Sequence, residues 1–454
     1  MNAETAVTTS PILALLAFVA VILLLLFLIA KWRWHVFLAL LVPLMLFGII
    51  PGIEQNNFIE AFETGFGSTL GSIGVVIVLG SIIAEALRHT GAIQTITGTM
   101  VNTFGRNRIP LALTLTGFIL GIAIFSDVAF VILNPLVHSA AKAMGVSISV
   151  VSIGLVGSLQ LTHAIVPPTP GPLAAAALVG ADVGKTIIFG GIACLVGSLA
   201  GWVWGQYIAG PRIKTLPDDE FAGETFLDDE PKGLPGAFAS YAPIVIPILL
   251  ISGQSISRLF LAEDHIIRTG LVYIGWPVAA LSIGVWLAYR NIRTEEHKKA
   301  SKNAWIEEAL KVSAMILVVT GLGGSLSAIL KATPAVDVIS GFFSTYGLPA
   351  ILLPFVIGIM GNMITGSTTV GVITAASLVA PMLGNLGLSP EAAMLSGACG
   401  SVIIKYVNSS YFWVCTSLTR LPVKDAIFGY GGATLVGGLA SFSAVCVMWS
   451  FGFI

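Results

Sequence analysis

Charge is scarce in this sequence. Only 10% of its 454 residues are Asp, Glu, Lys or Arg, whereas a soluble domain carries about 25%. An ordinary soluble fold is therefore excluded. The formal net charge of -1 gives no guide to partners, and nucleic acid is not expected among them. Cysteine is scarce too. Cys194, Cys399, Cys415 and Cys446 all lie in apolar segments, none at metal-ligand spacing, so they read as small buried hydrophobes and no metal is expected. Enzyme signatures are missing: HExxH, GxSxG, a Walker motif and a Gly-rich loop after a strand are all absent. No ATP-binding domain is evident either, which excludes ATP-driven work, and no cofactor is expected. The N-terminal MNAETAVTTSP has no basic region, so the apolar run 11–30 reads as a retained transmembrane helix rather than a cleaved signal.

What is abundant fits a polytopic membrane protein. The chain is 56% hydrophobic, with 50 glycines and 22 prolines, a composition that suits closely packed and interrupted membrane helices. The stretch LQLTHAIVPPTPGPLAAAALVG (159–180) shows the interruption most clearly. Pro167, Pro168, Pro170 and Pro172 remove backbone donors and fix φ, and Gly171 loosens the chain between them. Thr162, His163 and Thr169 add polar groups at the same level. In hydrocarbon, irregular backbone survives only inside protein or against a watery cavity. Two half-helices meeting at a polar break are how many secondary transporters build a substrate site. A single packing kink would need one proline, not four.

Read in order, the chain alternates spans with polar marks. Residues 11–30 and 36–53 span, separated by the basic KWRWH; a third span covers 70–88, and 90–108 form an interfacial helix. Residues 109–144, interrupted at FSDVAF with Ser126 and Asp127 at the tip, read as a re-entrant hairpin; 147–180 are the broken span and 186–208 return. The acidic, Pro/Gly-rich linker 217–233 cannot bury a core and reads as cytoplasmic. Spans at 241–260 and 270–289 precede the basic loop 289–302. Residues 304–331 span, 334–347 are interfacial, 348–385 form a second hairpin broken at GNMITGSTTVG, 389–418 a second broken span, and 426–453 the last crossing. The expected class is thus an all-α polytopic membrane protein of ten crossings plus two hairpins, or fourteen crossings if each hairpin spans fully. Both termini face outward. Lys185, Arg258, Arg268 and Lys331 fall outside and Lys405 within the membrane, while the other 17 of 22 Lys and Arg fall inside, as the positive-inside rule asks.

The second half repeats the first. GSIIAEALRHTGAI (80–93) lies over GGSLSAILKATPAV (323–336), GVSIS (145–149) over GLSPE (387–391), and VGKTIIFGG (183–191) over VKDAIFGYG (423–431), at offsets near 240. The order of features weighs more than identity: span, interfacial helix, hairpin, broken span, closing span, twice. Each unit holds an odd number of crossings, so the second is inverted. Domain limits follow: N-terminal spans 1–69, first repeat 70–214, linker 215–240, two spans and the basic loop 241–303, second repeat 304–454.

Inverted repeats place substrate at their interface near the midplane. Four interruptions should converge there, with Ser126, Thr162, His163, Thr169, Gly171, Thr365, Gly366, Ser367, Thr368, Asn408, Ser409 and Ser410 as substrate ligands. Hydroxyls and amides suit a hydroxylated ligand, and half-helix N-termini attract anions, so a small hydroxy-carboxylate is expected. For any single Ser or Thr, a bond to the preceding helical turn is an equal alternative. Asp127 is the candidate proton carrier, because a carboxylate near the bilayer centre usually has a role; N-capping the second hairpin helix is its alternative. His163 either relays protons, donates to substrate or is bonded structurally. Lys405 balances a carboxylate or snorkels, and Glu85 with Arg88 reads as an interfacial pair. A cation/proton exchanger using Asp127 and His163 without organic substrate is the rival function.

At FSDVAFVILNPL (125–136), LTHAIVPPTPGPLAAA (161–176), GNMITGSTTVG (361–371) and IIKYVNSSYFWV (403–414) the chain resembles the gluconate permease family, the gluconate:proton symporters, over nearly its whole length. The resemblance implies proton-coupled uptake of gluconate or a related hydroxy acid across the cell membrane, with D-serine and fructuronate as other substrates of the family. It also implies an elevator mechanism in which a hairpin-bearing domain slides past a dimeric scaffold drawn from residues 11–53 and 241–290, so a homodimer is expected.

Overall fold

The structure, a computed structural model, describes residues 34–48, 55–218, 233–331, 348–407 and 409–454, with helical positions at 16, 20, 21, 23–25, 27 and 28 and turn positions at 31 and 32. The span expected at 11–30 is therefore described in part, while the interfacial segment 334–347 and most of the linker 217–233 lie outside the described residues. Among the described residues every regular element is a helix. Seven helices are long and apolar enough to cross a membrane, or eight if one bent pair counts as a span. The protein is an all-α polytopic membrane protein.

Helix α1 covers Val36–Phe47 and α2 Gln55–Thr90. At 36 residues, α2 is about 54 Å long, well beyond the hydrocarbon thickness. It is longer than the span expected at 70–88, because no proline interrupts 55–90 and the polar turn carrying Glu60 and Glu63 simply continues the helix. It ends at Gly91, whose φ of 79° puts it in the left-handed region. Glu85 and Arg88 form the expected ion pair near this end.

Helix α3 follows at Ala92–Phe104, then α4 at Ile109–Leu120, α5 at Ser126–Met144, α6 at Ile148–Ile165, α7 at Pro170–Val179 and α8 at Val183–Val203. The order returns with α12 (Ala304–Lys331), α13 (Leu352–Thr365), α14 (Thr368–Val379), α15 (Pro390–Ser401), α16 (Ser410–Thr419) and α17 (Gly432–Ser450). Between the two series stand α9 (Ala237–Phe260), α10 (Ile266–Ile274) and α11 (Pro277–Tyr289). One corner fixes the register of the repeat. Gly145 and Gly387 both adopt left-handed φ, 64° and 59°, and two residues later Ser147 and Ser389 occupy the N-cap positions of α6 and α15. These pairs lie 242 residues apart. The corner turns each hairpin into the following broken span.

Several boundaries differ from expectation, each for a local reason. The first hairpin turns at 121–125, so Ser126 and Asp127 open α5 instead of forming the tip. The second hairpin is interrupted only at Gly366 and Ser367 rather than across 361–371, since Gly366 at φ 73° ends α13 and Ser367 at once caps α14. The span expected at 270–289 is a pair bent by 64°, with the donor-less Pro277 at the start of α11.

Close packing rests on small residues, as in membrane bundles. Helices α2 and α12 cross where a Cβ on Gly324 would strike the Gly65 carbonyl and the Thr69 hydroxyl, and Ser325 Oγ donates to the Phe62 carbonyl at 2.8 Å. The closing helices α8 and α17 meet where a Cβ on Gly197 would strike Ser441. Across the repeats, α7 packs on α14 and α5 on α16. Each second half-helix of a broken span thus lies against the second hairpin helix of the other repeat. The broken span α6–α7 sits in the middle: 94% of its apolar window is buried, against 39–67% for the other spanning helices. Its irregular backbone therefore faces protein rather than lipid.

Candidate functional site

The break between α6 and α7 is shorter than the sequence suggests. Helix α6 stops at Ile165, and residues 166–169 are irregular. Pro167 and Pro168 offer no donor to continue the ladder. Pro170 and Pro172 do not extend the break; they lie in the first turn of α7, where a missing N–H costs nothing. Thr169 holds the N-cap position of α7, and its Oγ1 donates to the Val166 carbonyl at 2.6 Å.

The turn of the first hairpin rests on this break. A Cβ on Gly121 would come within 2.9 Å of Thr162 Cβ and 3.0 Å of the Leu159 carbonyl, so only glycine permits the approach. Ser126 Oγ donates to the same Leu159 carbonyl at 3.3 Å, and the Phe125 ring lies 5.2 Å from His163. Next to this contact lies a small cavity with an open mouth. One wall is Ile122, Ala123, Ile124, Phe125, His163 and Pro168 to Pro170; the other is Gly80, Ser81 and Ile83 of α2, Pro243, Ile244 and Pro247 of α9, and Leu281 of α11. A hairpin and a break thus face the helices that stand outside the broken spans.

Of the residues expected to bind substrate, His163 and Thr169 line this cavity. His163 is buried, and its Nδ1 has no hydrogen-bond partner. Thr162 Oγ1, one residue earlier and fully buried, also lacks an oxygen or nitrogen partner, although the Cys194 thiol lies near it. Ser126 is buried between α5 and α6. Asp127 is half-buried in the first turn of α5, where its Oδ1 accepts from the Val128 N–H at 3.0 Å. Two residues before it, Phe125 packs its ring against His163.

The remaining expected residues that the structure describes do not line the cavity. At the second hairpin, Thr365 Oγ1 donates to the Gly361 carbonyl at 2.7 Å and accepts from the Ser367 N–H at 3.1 Å. Ser367 Oγ caps α14 by accepting from the Val370 N–H at 3.3 Å. Thr368 accepts from Gln160 Nε2 of α6 at 3.2 Å. Gly171 is a contact point, since a Cβ there would lie 3.2 Å from Thr369 Cα. Ser409 is buried at the N-cap position of α16, and Ser410 is exposed; Asn408 lies outside the described residues. The breaks and hairpins do converge, but through hydrogen bonds and close contacts. Hairpin two and break two supply no wall of this cavity.

Sequence reasoning missed two features. The outer wall, with Ser81 and the Pro243/Pro247 pair, carried no motif. The partners of Lys405 are the other: its Nζ donates to Asn362 Oδ1 at 2.7 Å and to the Gly366 carbonyl at 2.8 Å, and the residue is 3% exposed. Asn362 stands in GNMITG, so the motif held the signal. Cys194, Cys399 and Cys415 are free and buried, and Cys446 is free and half-buried.

Known proteins resemble this chain over almost all of it. The family model described as GntP family permease matches residues 12–452. A gluconate permease of Pseudomonas aeruginosa is 30% identical over 88% of this chain and 89% of its own length. The high-affinity gluconate transporter of Escherichia coli is 29% identical over 89% and 92%, and the D-serine transporter DsdX of the same species 30% identical over 92% and 94%. In fold, the chain is similar to the crystal structure of the Alcanivorax borkumensis YdaH transporter, with a TM-score of 0.60 at 16% identity, covering 97% of this chain and 99% of that one. The chain belongs to the GntP family of permeases, and is a multi-pass membrane transporter, not an enzyme.

Proposed function

We propose that the protein is a proton-coupled symporter that imports gluconate or a related small hydroxy-carboxylate across the cell membrane. The observation carrying this reading is the cavity between the first hairpin and break on one side and α2, α9 and α11 on the other. Its polar side chains, Ser81, His163 and Thr169, are few. Helix α7 starts at the cavity wall with Pro170, and α5 one residue beyond Phe125. Both N-termini bring positive partial charge towards a bound carboxylate. His163 lines the cavity, and its buried Nδ1, without a protein partner, is the group that a substrate hydroxyl or carboxylate would satisfy once the wall opens. Asp127, in the first turn of α5, is the group through which protons couple.

The two cavity walls belong to different parts of the fold, which suits a hairpin-bearing body sliding against α2, α9 and α11. Gluconate permeases among the relatives favour a sugar acid; the D-serine transporter supplies the second reading. Uptake into proteoliposomes separates them. An inward proton gradient should drive gluconate accumulation, with unlabelled gluconate competing and D-serine competing weakly. Accumulation of D-serine without competition by any sugar acid overturns the first reading. For orientation, the basic loop 289–302 should face the cytoplasm, so Glu296→Cys should react with an impermeant thiol reagent only after the cells are opened. Labelling in intact cells would reverse the proposed topology.

A further inference from the structure

A buried lysine without a carboxylate partner is costly, because an ammonium removed from water keeps its charge only against strong acceptors. Lys405 is such a residue, and its two acceptors are neutral. Asn362 lies in the last turn of α13, and Gly366 is the residue that ends it. Lys405 itself follows the end of α15, and its backbone N–H donates to Thr434 Oγ1 of α17 at 3.0 Å. No carboxylate lies within ion-pair distance of its Nζ among the described residues. Helix C-termini carry negative partial charge, and unwound carbonyls at half-helix ends are the groups that hold small cations in transporters of broken-helix build. The ammonium therefore sits in surroundings made for a monovalent ion.

The register of the repeat gives this position a counterpart. At the offset of 242 fixed by the Gly145/Gly387 and Ser147/Ser389 corners, Lys405 falls opposite His163. One repeat thus places a titratable imidazole in the last turn of its first half-helix, and the other a tethered ammonium just past the end of its own.

We propose that the Lys405 ammonium is the second repeat's own cation: it fills an ion site between the second hairpin and the second break, so that only the first repeat exchanges a coupling ion with solution. The inference rests on the proton-symport reading above and adds that Na⁺ or another small cation is needed only when the lysine is removed.

Lys405→Ala vacates the site. In purified protein, its thermal transition should rise saturably with Na⁺ or methylammonium and not with tetramethylammonium, which is too large; the wild type should show no such selectivity. Gluconate uptake by the variant should fall at least about tenfold in medium free of small cations, the scale expected when a buried pairing is broken, and recover with the same ions. Lys405→Met keeps the volume of the stem and closes the site, so its uptake should be lost without recovery. The proposal is overturned if either variant transports like the wild type in the absence of small cations, or if folded Lys405→Ala gains neither stability nor uptake from any of them. Should wild-type protein fail to carry gluconate, the substrate reading falls while the ion-dependent stability of Lys405→Ala still decides this one.

Discussion

The two broken spans occupy equivalent places and are broken by different means. In α6–α7 the interruption is four residues, 166–169, and proline makes it. Between α15, which ends at Ser401, and α16, which starts at Ser410, there is no proline at all. Here Ile404 takes a left-handed φ of 54°, a conformation that costs a β-branched residue of order 1–3 kcal/mol. What holds it are bonds from outside the break: Thr434 to the Lys405 backbone, and Asn362 and Gly366 to its side chain. The first break is thus imposed by its own sequence and leaves His163 and Thr169 facing a cavity. The second is imposed by its neighbours and has its charged side chain locked between them. One break borders the cavity, and the other is tied to its neighbours by hydrogen bonds.

Mutations should expose this division, and the largest effect belongs to the first hairpin, which packs on the proline break. Asp127→Asn should abolish accumulation driven by a pH gradient, a loss of at least about tenfold if the carboxyl is the intramembrane proton carrier, while counterflow exchange continues. A variant that still concentrates substrate would reduce Asp127 to a helix-start residue and move coupling to His163 alone.

Smaller effects should separate contact from support. Thr169→Val removes one neutral hydrogen-bonding group from the cavity wall, worth about 0.5–1.5 kcal/mol, so affinity should weaken roughly three- to tenfold. Ser367→Ala removes the cap of α14 and should lower stability by about 1 kcal/mol with affinity nearly unchanged. Ser443→Ala, on an exposed position whose Oγ bonds only the preceding turn, should stay within about 0.5 kcal/mol of wild type. Ligand titration and thermal unfolding of the three variants check the series. If Ser367→Ala loses affinity as Thr169→Val does, the second hairpin reaches substrate in another state of the cycle and the division fails.

Much of this was legible in the chain itself. Apolar length gave the spans, the absence of proline let α2 run on, and the prolines of 167–172 marked the first break. These are local matters: whether a backbone N–H has a helical acceptor depends on residues within one turn. The Gly-x-Ser corners at 145–147 and 387–389 fix their own geometry and, with it, the repeat. The sequence by itself therefore determined the helices, their order and where the first span breaks. It could not assign the polar side chains. Ser367 and Thr365 turned inward to their own hairpin, Thr368 to Gln160 some 208 residues away, and the outer cavity wall came from α2, α9 and α11, which no motif marks. A hydroxyl meets a ligand, a cap or a neighbouring helix according to which segments pack beside it. That choice belongs to contacts between distant parts of the chain, and only the tertiary structure decided it.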